Sequence, residues 1–230
     1  MKYSIYLFII FHLFSCTIKK SPNNILTDNK VSKTISAINI VDSLTMEECI
    51  IVNTLLQLQL ESDRYKNTRK NEILLIKESI NPLVALNAYD YAYKERKSSV
   101  SSRLLLNPNS LDDEDGWVID SLKIDRLKIK YNNDEVYNWK ESDVKNYKIS
   151  IINSKTFINI IKSGSYINFP EKLVLYVSKP LIINKEYALI FFNSGNSQFG
   201  FNTIERFTVL MKKIEGKWVK DIYYYDGTYN

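Results

Sequence analysis

The sequence predicts an α+β fold: an N-terminal helix, with a candidate second, packed on a curved antiparallel sheet that ends in a β-meander. Three observations carry this. Residues 45–60 pair a helix-start signal with apolar residues at helical spacing. The last sixty residues hold four β-rich runs, LVLYV, YALIFF, RFTVLMKK and KWVKDIYYY. Glu215-Gly216 supplies a tight turn between the last two.

The first helix is the firmest element. Thr45-Met46-Glu47-Glu48 has the form of a capping box, with acidic residues where they oppose the helix dipole. Beyond it Ile51, Leu55 and Leu58 recur at helical spacing, as do Val52, Leu56 and Leu60, which predicts a helix over about 46–62. Cys49 falls inside this run and reads as a packed residue. Glu72–Lys77 (EILLIK) suits a strand, and Pro82 opens the candidate second helix through LVALNAYDYAYKERK. A Ser-rich stretch and Asn107-Pro108-Asn109 lead into the acidic loop Leu111–Gly116.

From Trp117 to Tyr131 apolar residues alternate with a slip of phase. Leu122 and Ile124 share one face, then Leu127, Ile129 and Tyr131 the next, which predicts a strand with a bulge at Asp125-Arg126. Tyr147–Ile152 reads as another strand, and Ser154 as the cap of a short helix ended by Gly164. In the C-terminal runs Phe207, Val209 and Met211 alternate, as do Trp218, Ile222 and Tyr224, giving a meander with one buried face.

The chain begins MKYSIYLFIIFHLFSC. Lys2, a ten-residue apolar run from Ile5 to Phe14, and small Ser15 before Cys16 form the three-part plan of a secretory signal. The apolar run is about half of what spanning a bilayer requires. Leu13-Phe14-Ser15-Cys16 resembles the lipobox of bacterial lipoproteins, with Phe14 where that family prefers a smaller residue. The resemblance implies that Cys16 is the lipid attachment site, with the signal removed and a palmitate-type acyl anchor holding the protein to a membrane of the bacterial cell envelope. Thr17 is not the Asp that retains many such lipoproteins at the inner membrane, so the resemblance points to the outer membrane. The expected organisation is a signal over 1–16, a polar tether over 17–43 and one domain over 44–230.

A second resemblance lies at the other end. Ser178-Lys179-Pro180, Tyr187-Ala188-Leu189-Ile190 and Lys212-Lys213-Ile214-Glu215-Gly216-Lys217-Trp218-Val219 are similar to the C-terminal half of a family of uncharacterised Bacteroidetes secreted proteins and lipoproteins. That family implies a closing antiparallel sheet and an envelope location, and carries no activity over. Gly195 and Gly200 fit its middle loop, where its frequent Cys is missing here. The strand–turn–Gly-Lys-Trp ending also resembles NTF2-like cone folds.

Several chemistries are excluded or weakened by residue usage. The single histidine is His12, inside the signal, so a processed chain has no Ser-His-Asp or Cys-His catalysis and lacks the usual zinc ligand. No phosphate-binding glycine loop and no nucleophile elbow occurs, and no cofactor or metal motif is read. Aligning Gly116 with the sixth place of an EF-hand loop puts Leu111 and Leu122 where oxygen ligands belong, so Asp112–Asp115 reads as a solvated acidic turn. Ser178-Lys179 is the nearest Ser/Lys pair, but neighbours on a strand point to opposite faces. With Cys16 acylated, Cys49 has no disulfide partner.

The net charge of +5 is modest, and Lys123, Asp125, Arg126, Lys128 and Lys130 sit near Asp134, Glu135, Glu141 and Asp143, so the charges are interspersed. Nucleic acid is not the expected partner, because that needs cations converging on one face. The sixteen tyrosines fit an A+T-rich genome, with a tyrosine-lined binding surface as the sharper alternative. The polar run Asn193–Gln198 reads as a hairpin connection, and YYYDGTY at 223–229 as half-buried sheet or a contact patch. The expected function is a non-catalytic, lipid-anchored module binding a protein, glycan or envelope component. The alternatives are a histidine-free hydrolase using carboxylates and an immunity or inhibitor lipoprotein.

Overall fold

The computed structural model describes residues 43–65, 72–96, 117–132, 136–145, 147–165, 171–197 and 201–224, all within the unit Val41–Asn230. Cys16, the expected signal and tether up to Asp42, the acidic loop 111–116 and residues 225–230 lie outside the described residues.

Among the described residues the fold is α+β, built on an open seven-stranded sheet. Helix α1 (Met46–Leu60) begins with the expected capping box: Glu48 N donates to Thr45 Oγ1 (3.2 Å), and Thr45 N donates to Glu48 Oε2 (2.7 Å). Each half satisfies a donor that the first helical turn leaves open. A short 3₁₀ turn, Asp63–Tyr65, leads towards β1 (Ile73–Ile76), and α2 (Leu83–Glu95) starts after Pro82. Then come α3 (Ser121–Tyr131), a second 3₁₀ turn (Glu141–Asp143), β2 (Ile149–Ile152) and α4 (Ser154–Lys162). The strands β3 (Leu173–Val177), β4 (Leu181–Ile182), β5 (Tyr187–Asn196), β6 (Asn202–Ile214) and β7 (Lys217–Tyr224) complete the described chain.

Strand order is β2-β1-β3-β5-β6-β7, with β4 also on β5. The C-terminal part is the expected antiparallel meander. The sheet as a whole is mixed, which corrects the all-antiparallel expectation: β1 runs parallel to both β2 and β3. The cause is α4, which carries the chain from β2 to β3 across β1, as a parallel connection requires. β3 and β4 follow each other along the same edge of β5, separated at Lys179-Pro180. Pro180 has no N–H for a ladder, and Ser178 Oγ accepts from Phe191 N (2.9 Å) at that break.

Both faces of the sheet are buried, not one. On one face α1 packs with Tyr65, Tyr137 and Trp139 over Leu175, Ile190, Phe192, Val209 and Met211. The alternate residues face the other way. Leu189, Phe191, Leu210 and Ile222 lie under α2 and α3, while Leu74, Ile76 and Val174 lie under Phe157 of α4. The three apolar clusters, as far as the described residues go, draw on residues between Leu44 and Tyr224.

Two further corrections follow from the structure. Residues 121–131 form a helix rather than a bulged strand, capped by Asp120, whose side chain accepts from Lys123 N (2.8 Å). In β7 the register against β6 shifts between Leu210 and Met211: Ile222 opposes Leu210 and Lys220 opposes Met211, leaving Asp221 as an extra residue. That bulge sends Trp218 to the α1 face while Ile222 and Tyr224 go to the α2 face. A second irregularity at Ser194/Gly195 in β5 adds to the curvature of the sheet. Short helix α4 is capped by Asn153, one residue before the expected Ser154, and Gly164 ends it with a positive φ of 72°.

Candidate functional site

A carboxylate-based site needs acids whose oxygens are left for a substrate, so the company kept by each buried acid is informative. Glu48, besides closing the α1 cap, receives Lys179 at 3.4 Å. Asp90 on α2 accepts from Lys94 (2.8 Å) and from Lys128 of α3 (2.5 Å). Asp143 accepts from Tyr137 Oη (2.7 Å) and Lys140 N (2.9 Å). Glu205 accepts from Tyr65 Oη (2.6 Å) and meets Arg64 at 3.0 Å. The exposed end of Glu78 caps α4, taking Ser154 N and Asn153 Nδ2, both at 2.8 Å. Each acid joins two elements or holds a helix end. Among the described residues no group of three or more His, Cys, Asp or Glu could hold a metal ion.

The other sequence candidates resolve in the same way. Ser178 and Lys179 diverge, the hydroxyl to the β5 backbone and the ammonium to Glu48. Cys49 is half-buried on α1, and burial, with Asp143 adding to it, pushes its thiol pKa up, away from the reactive thiolate. Asn193–Asn196 belong to β5 rather than to a hairpin connection, and Ser194 Oγ meets Tyr65 Oη at 2.6 Å.

Part of the tyrosine content belongs to the core, while Tyr91 is exposed. Tyr65, Tyr89 and Tyr224 are among the largest fully buried side chains. Tyr89, Tyr93, Trp117 and Tyr224 pack edge to face or stacked beside α2, with ring centroids 5.0–6.4 Å apart. Tyr89 Oη donates to Ile119 O (3.2 Å) and accepts from Ile119 N (3.1 Å), tying the start of the α3 region to α2. Burial holds the Tyr224 phenol well above its ordinary pKa, and its hydroxyl has no hydrogen-bond partner among the described residues.

The surface that stands out is on α3. Ile124 and Leu127 turn inward onto α2, and Lys128 is held by Asp90. A groove of about 530 Å³ runs along the helix, lined by Asp120, Leu122, Lys123, Arg126, Leu127 and Lys130. Three cations and an exposed leucine therefore share one concavity. The sequence reading missed this because it took 117–131 as a strand, which spreads Lys123, Arg126 and Lys130 over both faces. The signal that finds it is helical: Lys123, Leu127 and Lys130 recur at i, i+4 and i+7, with Leu122, Arg126 and Ile129 alongside. Among the described residues no helix is long and apolar enough to cross a membrane. No protein-family model, curated protein or solved structure matches the chain.

Proposed function

We propose that the protein is a non-catalytic binding module held by a lipid on Cys16 to a bacterial cell-envelope membrane, with the outer membrane favoured, where it engages a component of the envelope. The leader MKYSIYLFIIFHLFSC supports the anchor. Acyl chains buried in a bilayer contribute about 0.8 kcal/mol per CH₂, so the two or three on a lipoprotein cysteine hold a water-soluble domain durably. The single observation that carries the binding reading is the α3 groove, which gathers Lys123, Arg126 and Lys130 beside Leu122. Cations and apolar side chains at one open surface are suited to contact rather than to bond-breaking chemistry. The engagement of Glu48, Asp90, Asp143 and Glu205 by structural partners favours the same reading over the hydrolase.

Intact-mass measurement of the protein taken from its native membrane tests the anchor. The expected species starts at Cys16 and carries acyl mass; a chain retaining Met1, or one cut elsewhere without acyl mass, overturns it.

A further inference from the structure

We infer that the outer face of α3 docks on the anionic headgroup surface of the bilayer that holds the anchor. This rests on the lipid-anchored reading above and names the partner of the α3 surface. Leu122 and Ile129 lie seven residues apart, two turns along one stripe of the helix, and are 67% and 77% exposed. Arg126 sits between them on the same stripe. Lys123 and Lys130, also seven apart, line the groove with Arg126.

Among the described residues the cations Lys123, Arg126 and Lys130 outnumber the acids at this face. Asp120 is engaged as the helix cap with Lys123 N. Asp90 of α2 lies on the buried side and is taken up by Lys94 and Lys128. Asp125 is exposed and borders the Leu122–Ile129 stripe on the side away from Lys123 and Lys130, one turn from Ile129. Water gives no return for two large apolar side chains presented in line. An anionic lipid surface accepts both kinds of group, the apolar tips at the acyl boundary and the cations at the phosphates.

The magnitudes suit a tethered protein. Each cation near an anionic surface is worth roughly fivefold in partition, so three give on the order of a hundredfold preference over a neutral surface. That is weak for a free protein. Once the acyl chains are inserted the contact becomes intramolecular, at an effective concentration of about millimolar or more. Reach is sufficient too. The domain's first helix lies on the sheet face opposite α3, and the 17–43 segment spans at most about 90 Å, against roughly 30 Å for three packed layers.

The test uses the chain from residue 16 onward with Cys16→Ser, which keeps every residue of the three apolar clusters and has no acyl group. Its partition is measured on phosphatidylcholine vesicles with and without phosphatidylglycerol. The expected result is a preference on the order of a hundredfold for the anionic vesicles, reduced to the neutral level by Leu122→Asp with Arg126→Glu. Lys217→Glu at the β6–β7 turn leaves it unchanged. Ile129→Gln, a milder change at the most exposed site, lowers it in proportion if the double variant fails to fold. Equal partition on both vesicles, no partition on either, or full partition of the α3 variants overturns the inference. So does vesicle-free self-association that the same variants abolish, which would assign the face to a second copy. Failure of the anchor itself shows separately, as a native protein without acyl mass.

Discussion

Tyr65 is fully buried, yet its hydroxyl sits 2.6 Å from both Ser194 Oγ and Glu205 Oε2. Burial, reinforced by the Glu205 hydrogen bond, pushes its pKa far above the ordinary phenol value, so it acts as a neutral donor that seats the 3₁₀ turn after α1 on the β5–β6 ladder. Tyr65→Phe keeps the ring but leaves Ser194 and Glu205 without that partner, at an expected cost of about 1–3 kcal/mol in urea unfolding. Asp90 gives a pH signature. Burial alone would raise its pKa, but the hydrogen bonds from Lys128 and Lys94 outweigh burial and hold it below the ordinary value. Such a group contributes stability that is complete above its unfolded pKa, near 3.9, and is lost as pH falls through the lower folded value. Unfolding free energy is therefore expected to drop below about pH 4. Asp90→Asn is expected to be less stable at neutral pH, with a shallower decline in acid. Equal slopes for the two proteins would show that Asp90 is not an ionised partner of α3.

At the scale of elements, α3 shows why a period is not read from apolar residues alone. Leu122, Ile124, Leu127, Ile129 and Tyr131 fit two strand phases joined by a slip, but only Ile124 and Leu127 are buried. Leu122 and Ile129, which lent the strand reading its weight, lie on the exposed side. The discriminating signals were polar: Asp120 in the cap position and Lys128 with Lys130 in the last turn, as the helix dipole favours. Asp120→Ala is expected to cost about 1 kcal/mol and to lower helix content by circular dichroism. The β6–β7 hairpin was legible as a turn from Glu215-Gly216, and both residues adopt positive φ, 49° and 79°. Glutamate resists that region, while Asn tolerates it, so Glu215→Asn is expected to stabilise the protein by about 0.5–1 kcal/mol in thermal or urea unfolding. The bulge at Asp221 was not legible, because Trp218, Ile222 and Tyr224 keep an even spacing along their own strand. Only the register against β6 reveals the extra residue. Gly195 marks the other irregularity for a different reason: a Cβ there would lie 2.4 Å from the Phe201 ring and 2.7 Å from Asn202 O. The backbone oxygen cannot give way as a flexible side chain could, so Gly195→Ala is expected to cost about 2 kcal/mol.

For the whole molecule, the two-sided burial of the sheet explains what composition left open. A sheet with helices on both faces needs apolar residues at consecutive strand positions, as in Phe207–Met211, where every residue is buried. Alternation picked out Phe207, Val209 and Met211 but gave Leu210 no role, and so one face instead of two. The mixed sheet likewise follows from which strands α4 connects, a long-range fact that no local pattern carries. The α3 surface was hidden by the wrong period, whereas the anchor reading depends on the order Lys2, apolar run, Ser15, Cys16 and on no tertiary contact at all. These two features make separable demands on location. If the acyl group supplies the durable hold and α3 only orients the domain, Cys16→Ser should move the protein from the membrane to the soluble fraction of its native cell. Leu122→Asp with Arg126→Glu should leave it in the membrane fraction but change which surface is protected from a soluble protease or from hydrogen exchange. Each acyl chain of fourteen or more carbons contributes on the order of 10 kcal/mol, whereas three surface cations contribute about 3 kcal/mol. Membrane retention of the Cys16→Ser protein would mean that the hold resides in the polypeptide, and the division of labour between anchor and helix would be wrong.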